Sequence, residues 1–147
     1  MIPVYGAHPS DWNRESFWHG AWGASGVHKG VDIFAEHGTP VLASTGGLIL
    51  YRGELPAGGN VVLILGPRWR VHYYAHLDAS WVGPGRWVRR GQSIGAVGNT
   101  GNAANTPSHL HYAVATLCPY PWRISNEAQG WKRMFYLDPE ERLAGGR

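Results

Sequence analysis

Turn residues cut this chain into pieces too short for long helices and well suited to strands. Twenty-one of its 147 residues are glycine and ten are proline, against roughly 12% for the two together in an average protein. Gly38-Thr39-Pro40, Gly46-Gly47, Ala57-Gly58-Gly59-Asn60, Gly66-Pro67 and Val82-Gly83-Pro84-Gly85 read as turns. Between them Pro40–Ala43, Leu48–Tyr51 and Arg70–Leu77 read as strands. Val61–Leu65 is a continuous apolar run of strand length, which predicts a buried strand. Val88–Gly98 reads as a strand pair around a corner at Gly91, and His109–Ala115 as a further strand. The fold class is therefore mainly β. The length and the lack of repeats or an internal linker predict a single domain.

The two ends read differently. Residues 1 to about 25 are irregular, with a short helical turn at Pro9-Ser10-Asp11 capped by Ser10 or Asp11, and Gly20, Gly23 and Gly26 break any regular element. After Thr116 the chain is irregular again. Ser125–Gln129 suggests a turn of helix, and Asp138-Pro139 starts a short terminal helix, with Asp138 as cap and Pro139 in its first turn.

Charge and composition exclude several functions. The net charge is +3, a mild bias that suits an anionic polymer. No lysine- or arginine-rich run and no recognition-helix pattern supports nucleic acid as a partner. The single cysteine, Cys118, allows no internal disulfide. No segment approaches the ~20 apolar residues of a membrane span. The start, Met1-Ile2-Pro3-Val4, carries no visible signal peptide.

The histidines carry the chemistry. His109 and His111 are two apart in a strand, so they share a face with Cα atoms roughly 6.5 Å apart. One can bind a metal while the other stands beside the metal's open position. His28 and Asp32 add an imidazole and a carboxylate. In a flat strand they would lie about 13 Å apart, so the chain must bend, and Gly30 permits the bend. His28, Asp32 and one of His109 and His111 then make the three-ligand set of a catalytic zinc. No His-Glu-x-x-His helix offers a glutamate base, so histidines must move the protons. Alternation along 70–77 puts His72, Tyr74 and His76 on one face, making His76 a candidate and His72 a possible neighbour. Thr100, Thr106 and Ser108 read as turn residues rather than nucleophiles. His8 or His19 is a candidate to occupy the metal's open position.

Five ordered pieces then carry a resemblance. These are His28-x-x-x-Asp32, Gly38-Thr39-Pro40-Val41, Tyr74-Ala75-His76-Leu77, Gly91-Gln92-x-Ile94-Gly95-x-Val97-Gly98-Asn99-Thr100-Gly101 and His109-Leu110-His111. Together they resemble the lysostaphin-type zinc endopeptidases that cut bacterial peptidoglycan, over about residues 26 to 116. The resemblance implies a compact antiparallel β-sheet core crossed by a groove, between an N-terminal arm (1–25) and a C-terminal extension (117–147). It implies zinc held by His28, Asp32 and His111, with His76 and His109 as catalytic histidines. It implies peptidoglycan peptides, in stems or cross-bridges, as substrate, and the cell envelope as the place of action. Relatives without the ligands act as amidase activators or wall-binding modules, and this chain keeps every ligand position. A carrier-like β module is a further alternative, but it leaves the five site residues unexplained. One departure stands out. Some members place an oxyanion-holding tyrosine shortly before the first ligand, where this chain has Trp18 and Trp22. That leaves a catalytic histidine as the candidate oxyanion donor. The tail from Cys118 to Leu137 is a candidate groove wall, with packing behind the sheet as the alternative.

Overall fold

Runs of strand length, separated by glycine and proline turns, pair edge to edge into one antiparallel sheet. The computed structural model describes residues 1–13, 16–18, 20–22, 26–126 and 129–145. In chain order the strands are β1 (Gly20–Trp22), β2 (Gly26–Val27), β3 (Val31–Phe34), β4 (Pro40–Leu42), β5 (Gly47–Leu55), β6 (Gly59–Gly66), β7 (Arg70–Ser80), β8 (Trp87–Val88), β9 (Ser93–Val97), β10 (His109–Thr116) and β11 (Tyr136–Leu137), followed by the helix α1 (Glu140–Gly145). The main sheet runs β11-β10-β7-β6-β5-β8, with β3 also on β10, β9 also on β7, and β4 on β9.

Strand alternation sorts side chains between two faces. Leu110, Tyr112 and Val114 of β10 point into the core with Val62, Ile64, Tyr74, Val31, Ile33, Val41 and Ile94, all buried. His109, His111, Ala113 and Ala115 point to the other face, the site face. Register carries the sorting across strands. Phe34 stands opposite His109 and Asp32 opposite His111, while Ala75 stands opposite His111 and Tyr73 opposite Ala113.

Several expectations are corrected. The N-terminal segment is not wholly irregular, because β1 and β2 pair as a small antiparallel ribbon (Gly20 with Val27, Trp22 with Gly26). The turn at Pro9–Asp11 is capped by His8, whose backbone N–H donates to the Asp11 carboxylate at 2.6 Å. β8 and β9 flank the Gly91 corner as expected, but they separate to different partners: β8 pairs with β5, and β9 with β4 and β7. Gly91 adopts φ +85°, which a side chain would strain. The suggested helical turn at 125–129 falls partly outside the described residues.

The ends of the chain close on each other. Asp138 accepts the Glu140 N–H at 2.9 Å, capping α1 as expected. The Met1 ammonium donates to the Arg142 carbonyl at 2.8 Å, and the Trp12 indole donates to Glu140 at 2.6 Å. β11 extends the sheet beside β10, pairing Leu137 with Val114 and Tyr136 with Ala115. The tail packs against the sheet, one of the two alternatives expected of it. Leu137 packs in the core, and Tyr136 lies on the site face, beneath the Lys29 ammonium at 5.9 Å.

Candidate active site

The strand pair β3–β10 brings the His-x-x-x-Asp and His-x-His segments together. Gly30 makes this possible by close approach. A Cβ there would lie 2.5 Å from the Tyr112 carbonyl oxygen and 3.0 Å from the His111 ring, so no larger residue fits without moving β3 from β10. The chain leads from His28 through this contact into β3, and Asp32 lands beside His111.

Three donor atoms converge. His28 Nε2 is 3.2 Å from Asp32 Oδ1 and 3.2 Å from His111 Nδ1, and His111 Nδ1 is 2.8 Å from Asp32 Oδ1. Donors held about 2.0–2.1 Å from one tetrahedral ion stand about 3.3–3.4 Å apart. The triangle is close to that size, and two imidazoles with a carboxylate suit a borderline cation. Among the described residues these three form the group able to hold a metal ion. His28 Nδ1–H donates to the Ser16 carbonyl at 3.1 Å. This fixes the tautomer that turns the Nε2 lone pair inward, an outer contact typical of metal-binding histidines.

The other two histidines are anchored in the same way. His76 Nδ1–H donates to the Thr100 carbonyl at 2.8 Å and His109 Nδ1–H to the Pro107 carbonyl at 2.9 Å. In both rings Nε2 is left for the site, and His109 Nε2 lies 3.9 Å from Asp32 Oδ1. Ring centroids are 5.0 Å apart for His76–His109 and 5.9 Å for His76–His111.

His76 reaches this face against the parity of its strand. The alternation that groups it with His72 and Tyr74 fails, because His76 adopts φ +62°, and its N–H donates to the Gly58 carbonyl at 2.8 Å. A left-handed residue is a local bulge that redirects the side chain. His72 keeps the parity and is no neighbour of the site. It lies in the core, with Nδ1 2.8 Å from the Tyr112 hydroxyl.

Electrostatics follow from burial and from these contacts. Burial alone would raise the Asp32 carboxyl, but its contacts with the His111 and His28 rings outweigh it and hold the group well below the usual carboxylate range. Burial pushes His76 down to about 4, partly opposed by its bond to Thr100, so the ring is neutral near pH 7. The hydroxyls of Thr100, Thr106 and Ser108 donate to the carbonyls of Leu77, Ala103 and Ala35 at 2.9, 2.6 and 2.6 Å. Committed to backbone, they are structural, as expected of turn residues.

His8 is exposed, and His19 lies outside the described residues. Sequence reasoning missed two aromatic side chains on the site face. Tyr73 sets its ring edge-on to His111 at 6.0 Å, and Phe34 lies 5.4 Å from His109. Register was the signal that could have found them, since each stands level with β10 residues of the site face.

Known proteins resemble this chain in sequence and fold. Residues 26–120 match the family model described as peptidase family M23. The chain is 33% identical over 144 residues to the L-Ala–D-Glu endopeptidase of Bacillus subtilis, a match covering 86% of this chain and 43% of that protein. It thus spans less than half the length of that curated relative. Its fold superposes on the catalytic domain of the antimicrobial peptidase lysostaphin from Staphylococcus simulans with a TM-score of 0.71 at 28% identity, covering 90% of both chains. A zinc-containing peptidase from Vibrio cholerae superposes with a TM-score of 0.61 at 30% identity, over 77% of this chain and 35% of that one.

Proposed function

This chain belongs to peptidase family M23, and from that membership we propose that it is a zinc-dependent endopeptidase hydrolysing peptide bonds in peptidoglycan stems or cross-bridges. The observation that carries the reading is the triangle of His28, Asp32 and His111 donors, with the His76 and His109 rings beside it. On this reading the chain is a single peptidase domain that acts in the cell envelope, where its substrate is. Among the described residues no helix is long and apolar enough to cross a membrane.

The roles follow from the geometry. His28, Asp32 and His111 hold the zinc, which when bound polarises the scissile carbonyl and acidifies the attacking water. Asp32 stays ionised because its two histidine contacts favour the carboxylate, so it brings negative charge to the cation. His76 and His109, each pinned at Nδ1 by a carbonyl, present Nε2 to the reacting groups. One accepts the proton of the attacking water at Nε2, and the imidazolium so formed has the Nε2–H that holds the oxyanion and is then given to the leaving amine. With no tyrosine just before His28, the oxyanion contact falls to one of these histidines.

Digestion of purified peptidoglycan, with mass analysis of the products, tests the proposal. Zinc-loaded wild type is expected to release new peptide ends, and Asp32→Ala none. Intact wall with zinc demonstrably bound would contradict hydrolysis and turn attention to a wall-binding or amidase-activating role.

A further inference from the structure

Phe34 has no role in the site as described, yet it stands inside it. Its strand neighbour Ile33 is fully buried in the core, while Phe34 faces the other way and is 48% exposed. Register sets it opposite His109, and its ring lies 5.4 Å from the imidazole at an interplanar angle of 45°. One side of the ring therefore rests on a proposed catalytic histidine, and the other side is open. The strand end that carries the ring is also held in place. The Ser108 hydroxyl donates to the Ala35 carbonyl at 2.6 Å, tying the end of β3 to the start of β10.

An exposed aromatic ring beside the reacting groups gains binding free energy only from a ligand that covers it with apolar surface. We propose that Phe34 is a specificity-determining residue that receives the aliphatic side chain of a substrate residue next to the scissile bond. It thereby selects alanine-bearing stem peptides over all-glycine bridges. Glycine has no side chain to lay on the ring, whereas a methyl group covers part of it. The assignment rests on the peptidase reading and narrows its substrate class. Selectivity of this kind is modest, about fourfold for each methyl-sized group buried, and larger where the pocket fits closely.

The test compares zinc-loaded wild type, Phe34→Ala and Phe34→Leu on two soluble wall fragments of matched length, one cross-linked through alanyl stems and one bridged by glycines. Wild type is expected to favour the alanyl fragment by about tenfold in kcat/KM. In Phe34→Ala that preference shrinks about fourfold or more, chiefly through KM, and Phe34→Leu restores most of it. Equal losses on both fragments, or a wild-type preference for glycine, would overturn the proposal. A second readout does not need turnover. In NMR spectra of zinc-loaded His76→Ala, which leaves the His109 ring under Phe34, with an alanyl stem peptide, cross-peaks are expected between the alanine methyl and the Phe34 ring. A bound peptide without them would overturn the assignment. If the cross-peaks appear while wild type cuts neither fragment, the hydrolytic reading fails and the role of Phe34 in binding stands.

Discussion

His72 and His76 are four residues apart on one strand, both buried, and sit on opposite faces of the sheet. His72 meets hydroxyls at Nδ1, and its Nε2 is buried without a hydrogen-bond partner among the described residues. Ser44, Tyr74 and Tyr112 bond one another through Ser44 Oγ at 2.8 Å, and His72 Nδ1 joins them at Tyr112. Among the described residues His76 has a backbone carbonyl as its side-chain hydrogen-bond partner, so its tautomer is set and its other nitrogen faces the site. The difference lies less in how deeply each ring is buried than in what the rest of the ring can reach. A hydroxyl network closes a histidine into the core, whereas a carbonyl at Nδ1 orients one for use. The site face applies the second device three times, at His28, His76 and His109.

Four experiments sharpen or break this contrast. The largest effect is expected on the site face from Asp32→Ala. It removes one of the three proposed metal donors, so the protein should lose bound zinc by elemental analysis and hydrolysis by roughly 10³-fold or more. Retained stoichiometric zinc would mean that the donor triangle is not the metal site. His109→Ala comes next. It leaves the triangle whole, so zinc content should stay at wild-type level while kcat falls about 10²- to 10⁴-fold. Loss of zinc along with activity would make His109 a ligand rather than a catalyst.

Gly30→Ala tests the contact that joins the two halves of the site. Its Cβ would lie 2.5 Å from the Tyr112 carbonyl oxygen, and forcing the strands apart costs about 1–3 kcal/mol. Denaturant unfolding should show that loss, together with weaker zinc affinity. Unchanged stability and affinity would mean that β3 is not held as tightly as described.

His72 yields a prediction from the core face. Burial, with the charges of Arg142 and Arg70, pushes it down to about 3, against about 6.5 when unfolded. Its packed neighbours Tyr74 and Tyr112 are neutral throughout this range, both raised chiefly by burial. Above pH 6.5 the ring is neutral in both states and contributes no slope. As pH falls from 6.5 towards 3 only the unfolded chain takes up the proton, so stability declines. At pH 5 the loss is about 2 kcal/mol. His72→Phe should be less sensitive to acid by that amount between pH 7 and 5, as measured by urea unfolding. Equal slopes would mean that His72 protonates in the folded state.

Much of the site was legible because its spacing is chemical. His28, Asp32, His76, His109 and His111 stand out as donors in an ordered pattern, and the folded chain brings these five together. The turns were legible too, since glycine and proline mark them, and with them the strand-rich fold. What could not be read is backbone behaviour that residue type does not signal. Nothing in the identity of His76 announces φ +62°, so simple alternation put His72 beside it. The partners of β8 and β9 depend on tertiary pairing, and so does the placing of Phe34 and Tyr73 beside the histidines. Those contacts follow from register across strands distant in sequence, which no local pattern specifies.

The most direct test of the central claim is zinc titration of chelator-treated protein, read in parallel as bound metal and as peptide ends released from peptidoglycan. Three residues are held to bind the metal and two others to act beside it. Wild type should regain activity linearly and saturate at one zinc per chain. His109→Ala should bind the same single zinc and release peptide at least about 10²-fold more slowly, and Asp32→Ala should neither bind zinc nor regain activity. Activity that survives chelation, or that returns in Asp32→Ala at one equivalent, would contradict the account.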